Sequence, residues 1–111
     1  MNKIRILLVE DEYITAMDEC ALLEEMGYIV TSSVVSGQEA IEKTALDQPD
    51  IILMDIMLEG DMDGICAAEK IRESYDIPIV FVSANSNSDF LQRVKLSGSI
   101  GYVLKPFTKA N

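Results

Sequence analysis

The 111-residue sequence contains no histidine and no tryptophan, and its 9 lysine and arginine residues are outnumbered by 19 aspartate and glutamate residues. The formal net charge of -10 argues against direct binding to nucleic acid or to an anionic membrane, because both would repel such a surface. Without histidine, the chain has no imidazole base and cannot itself carry a phosphohistidine. Functions that need a basic surface or an intrinsic imidazole are therefore excluded.

Cysteine and long apolar segments are also scarce. Cys20 and Cys66 are the two cysteines, and each stands among apolar positions of a predicted helix. We expect small buried side chains rather than a disulfide or a metal-binding pair. No apolar run approaches the roughly 20 residues of a membrane helix, and acidic residues soon interrupt the first apolar stretch. These absences predict a cytoplasmic protein without a membrane segment.

Short β-rich segments alternate with helical patterns along the whole chain. The predicted strands are Ile4–Val9, Ile29–Val35, Ile51–Ile56, Ile79–Ser83 and Gly101–Leu104. The predicted helices are Glu12–Met26, Gly37–Asp47, Gly64–Tyr75 and Ser88–Leu96. Alternation of this kind with short connections predicts a parallel sheet with helices on both faces, which is a doubly wound α/β fold in a single domain.

Local signals support the helices. The segment "SGQE" is typical of a capping box with Ser36 as its first residue, and Gly27 follows the first helix where a left-handed residue belongs. Apolar residues recur at helical spacing in the first and third helices, and we interpret both stripes as core-facing. Their members are Ile14, Met17 and Ala21, and Ala68, Ile71 and Tyr75.

Polar residues stand at the carboxyl ends of four predicted strands. In a doubly wound sheet the ligand site lies at that edge. Clustered carboxylates repel one another unless a cation lies among them, and Mg²⁺ is a hard ion that oxygen ligands suit. The set therefore predicts a magnesium site with an ammonium group available to a phosphoryl oxygen. Its members are Glu10, Asp11, Asp55, Ser83 and Lys105.

Each of these residues also has a simpler interpretation. Asp11 could be the N-cap of the first helix, Ser83 a strand-end hydroxyl bonded to a loop, and Lys105 a solvated charge. Asp55 is harder to explain locally, because it lies in the otherwise apolar segment "IILMDI". A carboxylate there costs several kcal/mol unless something pairs with it. Taken together, the five residues favour a functional site.

Four segments resemble the receiver domain of two-component response regulators: "LLVEDE", "ILMDIML…DG", "VFVSA" and "GYVLKPF". They occur in the family's order and span nearly the whole chain. The resemblance implies a flavodoxin-like, five-stranded parallel sheet of order 2-1-3-4-5. It also implies that Asp55 accepts a phosphoryl group from the phosphohistidine of a sensor histidine kinase or phosphotransfer protein, and that a protein-interaction surface then switches.

The resemblance further implies a magnesium site. Asp11, Asp55 and the main-chain carbonyl of Met57 would bind the ion, and Glu10 would complete the acidic pair. Glu10 stands where aspartate is more frequent in the family, so its longer side chain is expected to reach the metal through a water molecule.

Three further residues receive roles from the resemblance. Ser83 and Lys105 would contact the phosphoryl oxygens, and Tyr102 would be the aromatic switch residue coupled to Ser83. Such a domain catalyses its own phosphorylation and dephosphorylation, and it is not a conventional turnover enzyme.

The C-terminal segment "KPFTKAN" departs from the family, whose members continue into a fifth helix. We expect residues 1–111 to be a C-terminally truncated receiver domain. A sheet face left uncovered by that helix favours self-association, and an output domain or a downstream protein is a further expected partner. The strand residues expected on this face, beneath the first helix, are Ile6, Leu8, Ile52 and Val80.

Two other functions fit the sequence less well. A magnesium-dependent phosphatase of the aspartyl-phosphate type would want a second carboxylate two residues after the nucleophile, where this chain has Met57. A nucleotide or flavin binder would want a glycine-rich loop after the first strand, where this chain has "EDEY".

Overall fold

The computed structural model describes residues 3–58, 60–83 and 101–104. Its strands are β1 (Arg5–Val9), β2 (Ile29–Val34), β3 (Ile51–Asp55), β4 (Ile79–Ser83) and β5 (Gly101–Leu104). Its helices are α1 (Tyr13–Glu25), α2 (Gly37–Asp47) and α3 (Gly64–Ser74). Within these residues no helix has the length and apolar character needed to cross a bilayer. The predicted fourth helix, Ser88–Leu96, lies outside them.

The strands form one parallel sheet in the order β2-β1-β3-β4-β5. Helices α2 and α3 pack against each other on one face, and α1 packs against β1 and β2. Side chains of β1 alternate between the two faces: Leu7 and Val9 join the core cluster of α2 and α3, so the buried Ile6 and Leu8 point to the face of α1. The predicted parallel α/β architecture is confirmed.

A buried apolar cluster lies between the sheet and the α2–α3 pair. Ile52 belongs to it, so its predicted place beneath α1 is wrong. The register explains the error, because Ile52 is aligned with Leu7 whereas Leu53 is aligned with Leu8. A one-residue offset along a strand moves a side chain to the other face. The buried cluster consists of Leu7, Val9, Val34, Ala40, Ile52, Met54, Ile56, Ile65, Ala67, Ala68, Ile71, Ile79 and Phe81.

The two predicted helix stripes have opposite outcomes. In α3, Ala68 and Ile71 are buried and Tyr75 packs against the core cluster, as expected. In α1 the stripe is exposed: Ile14 is 74% and Met17 55% accessible. The buried residues of α1 are instead Ala16, Glu19 and Leu23. Apolar residues occur on several sides of α1, so their spacing alone does not identify the buried face.

The predicted helix signals at Ser36 and Gly27 are both confirmed. The Ser36 hydroxyl accepts a hydrogen bond from the Glu39 amide at 3.2 Å, while the Glu39 carboxylate accepts one from the Val35 amide at 3.3 Å. Gly27 has a φ of +98°. Its amide donates to the Glu24 carbonyl and the Tyr28 amide donates to the Leu23 carbonyl, which completes a Schellman motif at the end of α1. These caps fix the points at which the chain enters α2 and leaves α1.

Neither cysteine takes part in a disulfide, and the prediction that both side chains are buried is wrong for Cys66. Cys20 is partly buried and Cys66 is exposed. Burial raises the pKa of the Cys20 thiol; a hydrogen bond with Ser33 opposes this effect, and the charges of Glu24 and Glu19 add to it. The Cys20 thiol therefore stays protonated at neutral pH and is a weak nucleophile.

Candidate functional site

The acidic residues predicted at the strand ends lie together. Strands β1 and β3 are neighbours, with Val9 aligned with Met54, so the residues that follow them reach the same edge of the sheet. Carboxylate oxygens of Glu10, Asp11 and Asp55 all lie within 4.8 Å of one another. Three acidic side chains from two strands thus share one small volume.

The cluster is largely shielded from water. Glu10 is 1% and Asp55 6% accessible, and Asp11 is half-buried. One Glu10 oxygen accepts a hydrogen bond from the Glu12 amide at 3.3 Å, and the Asp55 Oδ1 atom accepts one from the Met57 amide at 3.2 Å. The N-cap of α1 is Glu12, so the simpler interpretation of Asp11 as the N-cap of this helix is wrong.

The donor set fits a small divalent cation. Opposite oxygen ligands of a Mg²⁺ ion stand about 4.2 Å apart, since each metal–oxygen bond is about 2.1 Å. Three carboxylate oxygens within 4.8 Å of one another are close to this limit, so a small adjustment of their side chains would let them surround one ion. Because like charges in a shielded site repel strongly, a bound cation would relieve the repulsion among Glu10, Asp11 and Asp55.

The two ends of the loop between β3 and α3 are hydrogen-bonded to each other. The Gly64 amide donates to the Ile56 carbonyl at 2.8 Å, and the Asp63 carboxylate caps α3 by accepting from the Cys66 amide at 2.8 Å. Between them Gly60 has a φ of +93°, a backbone conformation that favours glycine. The loop is thus anchored at its base directly beside Asp55.

Gly64 makes a main-chain contact that sequence reasoning missed. A Cβ atom at this position would overlap the Asp55 carbonyl oxygen and lie 3.0 Å from the Ile56 Cα. The sequence motif that ends in Asp63-Gly64 was recognised, but no function was predicted for its glycine. Gly64 is the first residue of α3, although most other residues form helices better than glycine. This unfavourable choice was the sequence signal that could have indicated a close contact.

The other predicted site residues are described only in part. Ser83 ends β4, and the residue before it is aligned with Asp55, which places the Ser83 backbone at the same sheet edge. Tyr102 lies in β5, aligned with Phe81. Lys105 lies outside the described residues. The roles of these three side chains stay predictions.

A groove of about 350 Å³ lies between α1 and β2 beside the acidic cluster. Its lining includes Glu10 at one end and Cys20, Ser33 and Val35 farther along. Tyr13 also lines it and is one of the exposed apolar side chains of α1. An apolar surface thus adjoins the carboxylates.

The model of the response regulator receiver domain family matches residues 6–111. This chain belongs to that family. It is 38% identical over 104 residues to the transcriptional regulatory protein PdtaR of Mycobacterium tuberculosis, covering 94% of this chain and 50% of the relative. The receiver is thus a domain of two-component systems, and it spans about half the length of the curated relatives that it matches.

Solved receiver structures share its fold. The N-terminal domain of a response regulator/sensory box/GGDEF three-domain protein from Carboxydothermus hydrogenoformans is 34% identical, with a TM-score of 0.85 over 96% of this chain and 85% of that one. The BeF3-activated N-terminal receiver domain of RstA from Klebsiella pneumoniae is 29% identical, with a TM-score of 0.85 over 96% and 89%. Aspartate phosphorylation and magnesium binding are general features of this family, and receivers are not classical enzymes.

Proposed function

We propose that this receiver accepts a phosphoryl group on Asp55 from the phosphohistidine of a sensor histidine kinase or phosphotransfer protein. The observation that carries the proposal is the shielded carboxylate cluster at the ends of β1 and β3. Asp55 is its one member inside a strand, flanked by Met54 and Ile56 of the apolar core. A rigid mounting of this kind presents a nucleophile in a fixed direction.

The proposed phosphoryl transfer is an in-line displacement at phosphorus. An Asp55 carboxylate oxygen attacks the phosphorus in line, and the phosphorus–oxygen bond forms as the phosphorus–nitrogen bond breaks. The departing imidazole nitrogen keeps the bonding electron pair and takes up a proton. Water later attacks the phosphorus of the acyl phosphate, which releases inorganic phosphate and restores the carboxylate. The domain thereby catalyses its own phosphorylation and dephosphorylation.

Asp11, Asp55 and the Met57 main-chain carbonyl would hold a magnesium ion, with Glu10 reaching it through water. Bound magnesium would supply positive charge that offsets the negative charge on the transferring phosphoryl oxygens. The Met57 amide orients the Asp55 carboxylate through Oδ1. Ser83 and Lys105 would contact the phosphoryl oxygens, and Tyr102 would respond to the position of Ser83 as the switch.

The exposed residues of α1 favour this helix as the surface that meets the phosphodonor protein. Tyr13, Ile14 and Met17 are large apolar side chains open to solvent, and α1 begins two residues after Asp11. Exposed apolar patches beside a reactive site are typical of protein-interaction surfaces. A cytoplasmic location and a linked output domain or separate downstream protein belong to the same proposal.

Met57 should set how long the phosphoryl group persists. Its exposed side chain follows the strand end that carries Asp55, and an apolar group there cannot orient an attacking water molecule. We expect Met57→Asn to speed hydrolysis of the acyl phosphate several-fold, since positioned polar groups assist proton transfer from water. Loss of the adduct after removal of the donor, followed by intact mass, measures the rate. A variant that loses phosphate at the parental rate or more slowly would contradict this role.

The proposed acceptor can be tested by incubation with acetyl phosphate and magnesium, followed by intact-mass measurement. The parental protein is expected to gain one phosphoryl group, and Asp55→Asn none. Asp76→Asn, which alters an exposed aspartate between α3 and β4, is the matched control and should gain the adduct normally. An adduct on Asp55→Asn at the parental rate would refute the assignment.

A further inference from the structure

We propose that Gly64 is a positioning residue for phosphoryl transfer. Its missing side chain lets α3 begin against the last peptide of β3, and this contact holds the Asp55 backbone where its carboxylate meets Glu10 and Asp11. The inference rests on the proposed role of Asp55 as phosphoacceptor. It adds a residue that touches neither the phosphoryl group nor the metal.

The contact is made entirely by main-chain atoms. A Cβ atom at position 64 would overlap the Asp55 carbonyl oxygen and lie 2.9 Å from the Asp55 carbonyl carbon and 3.0 Å from the Ile56 Cα. No rotation of a neighbouring side chain can relieve this overlap. The Gly64 amide also donates to the Ile56 carbonyl at 2.8 Å, so the start of the helix and the end of the strand are joined as well as close.

Space, and not backbone conformation, requires the glycine. Within the described part of the chain the glycines with a positive φ are Gly27 and Gly60. Gly64 is not one of them, so an L-residue could adopt its backbone angles. Glycine is also a poor helix former, and Gly64 is the first residue of α3. The close approach to Asp55 is the remaining reason for glycine at this position.

A side chain at position 64 would move the Asp55 peptide or lift the first turn of α3. Restoring an ordinary carbon–oxygen separation of about 3.3 Å requires a shift on the order of 1 Å. Such a shift would also disturb the hydrogen bond from the Met57 amide to Asp55 Oδ1. Because a misplacement of about 1 Å can cost roughly 100-fold in rate, we expect Gly64→Ala to lower the rate constant of phosphorylation at least about tenfold.

The first test compares Gly64→Ala with Gly27→Ala. A Cβ atom on Gly27 meets nothing within 4 Å, but its φ of +98° makes alanine strained there, so the control is destabilised without contact with the site. Phosphorylation rates at varied acetyl phosphate and magnesium separate the rate constant at saturation from the half-saturating concentrations, and denaturant melts report stability. Both variants should be less stable than the parental protein, and only Gly64→Ala should have a lower rate constant of phosphorylation at saturation. A folded Gly64→Ala within twofold of the parental rate constant overturns the proposal.

A second pair tests the same contact if Gly64→Ala does not fold. Asp63→Ala removes the cap of α3 and loosens the turn that holds Gly64, whereas Ser36→Ala removes the equivalent cap of α2. We expect Asp63→Ala to lower the saturating rate constant several-fold and Ser36→Ala to leave it unchanged. Equal rate constants in the two variants would refute the inference. A parental protein that gains no phosphoryl group on Asp55 would instead refute the proposed function on which the inference rests.

Discussion

Asp11→Asn should make the metal-free protein more stable and should also remove the stabilisation that magnesium provides. Without a cation, the carboxylate of Asp11 lies close to those of Glu10 and Asp55, and the shielding of the cluster strengthens their repulsion. Replacing one carboxylate by an amide relieves part of that repulsion. In the proposed magnesium site the same change also removes a charged oxygen ligand, so we expect the affinity for magnesium to fall sharply.

Thermal melts in EDTA and in increasing magnesium measure both effects. At a magnesium concentration 100 times the dissociation constant, binding to the folded state alone adds about 2.7 kcal/mol to the free energy of unfolding. The parental protein should show this rise, and Asp11→Asn should show little of it. Asp18→Asn changes an exposed aspartate of α1 and should keep the parental response. An undiminished magnesium response in Asp11→Asn would place the metal elsewhere.

Phe81→Ala should be among the most destabilising single substitutions in the described core. Phe81 is the largest fully buried side chain, and truncating a buried phenylalanine to alanine costs about 3–5 kcal/mol. That loss is a large share of the roughly 5–15 kcal/mol by which domains are stable. Because Phe81 is aligned with Met54, the cavity would open beneath the strand that carries Asp55.

Urea titration gives the free energy of unfolding directly. Leu46→Ala, at an exposed apolar residue of α2, removes a similar side chain without leaving a cavity and should change stability by no more than about 0.5 kcal/mol. Equal losses of unfolding free energy in Phe81→Ala and Leu46→Ala would contradict the packing of α2 and α3 on the sheet.

Much of the fold could be predicted from local patterns. The bounds of α2 and β4 agree with those predicted from the sequence, those of β1, β2, β3 and α3 differ by one residue at one end, and those of α1 differ by one residue at each end. Caps explain this accuracy where they occur, because Ser36 and Gly27 form the hydrogen bonds that their residue types predict. The convergence of Glu10, Asp11 and Asp55 followed from the rule that parallel strands end at a common edge.

What escaped prediction depends on contacts between elements. The exposure of Ile14 and Met17 depends on how α1 rolls on the sheet, which its apolar spacing does not determine. The position of Ile52 depends on the register with β1, and a strand that is apolar on both faces carries no periodic signal for it. Gly64 required the distance between a helix and a strand, which no local pattern contains.

The most direct test of the central claim is chemical mapping of the phosphorylated residue. Borohydride reduces an acyl phosphate to an alcohol, so phosphorylated aspartate becomes homoserine, and peptide mass spectrometry locates the change. After treatment with acetyl phosphate and magnesium, we predict reduction at Asp55 and at no other carboxylate. Reduction at Glu10 or Asp11, or no reduced residue in a protein that carries the adduct, would contradict the assignment of Asp55 as the phosphoacceptor.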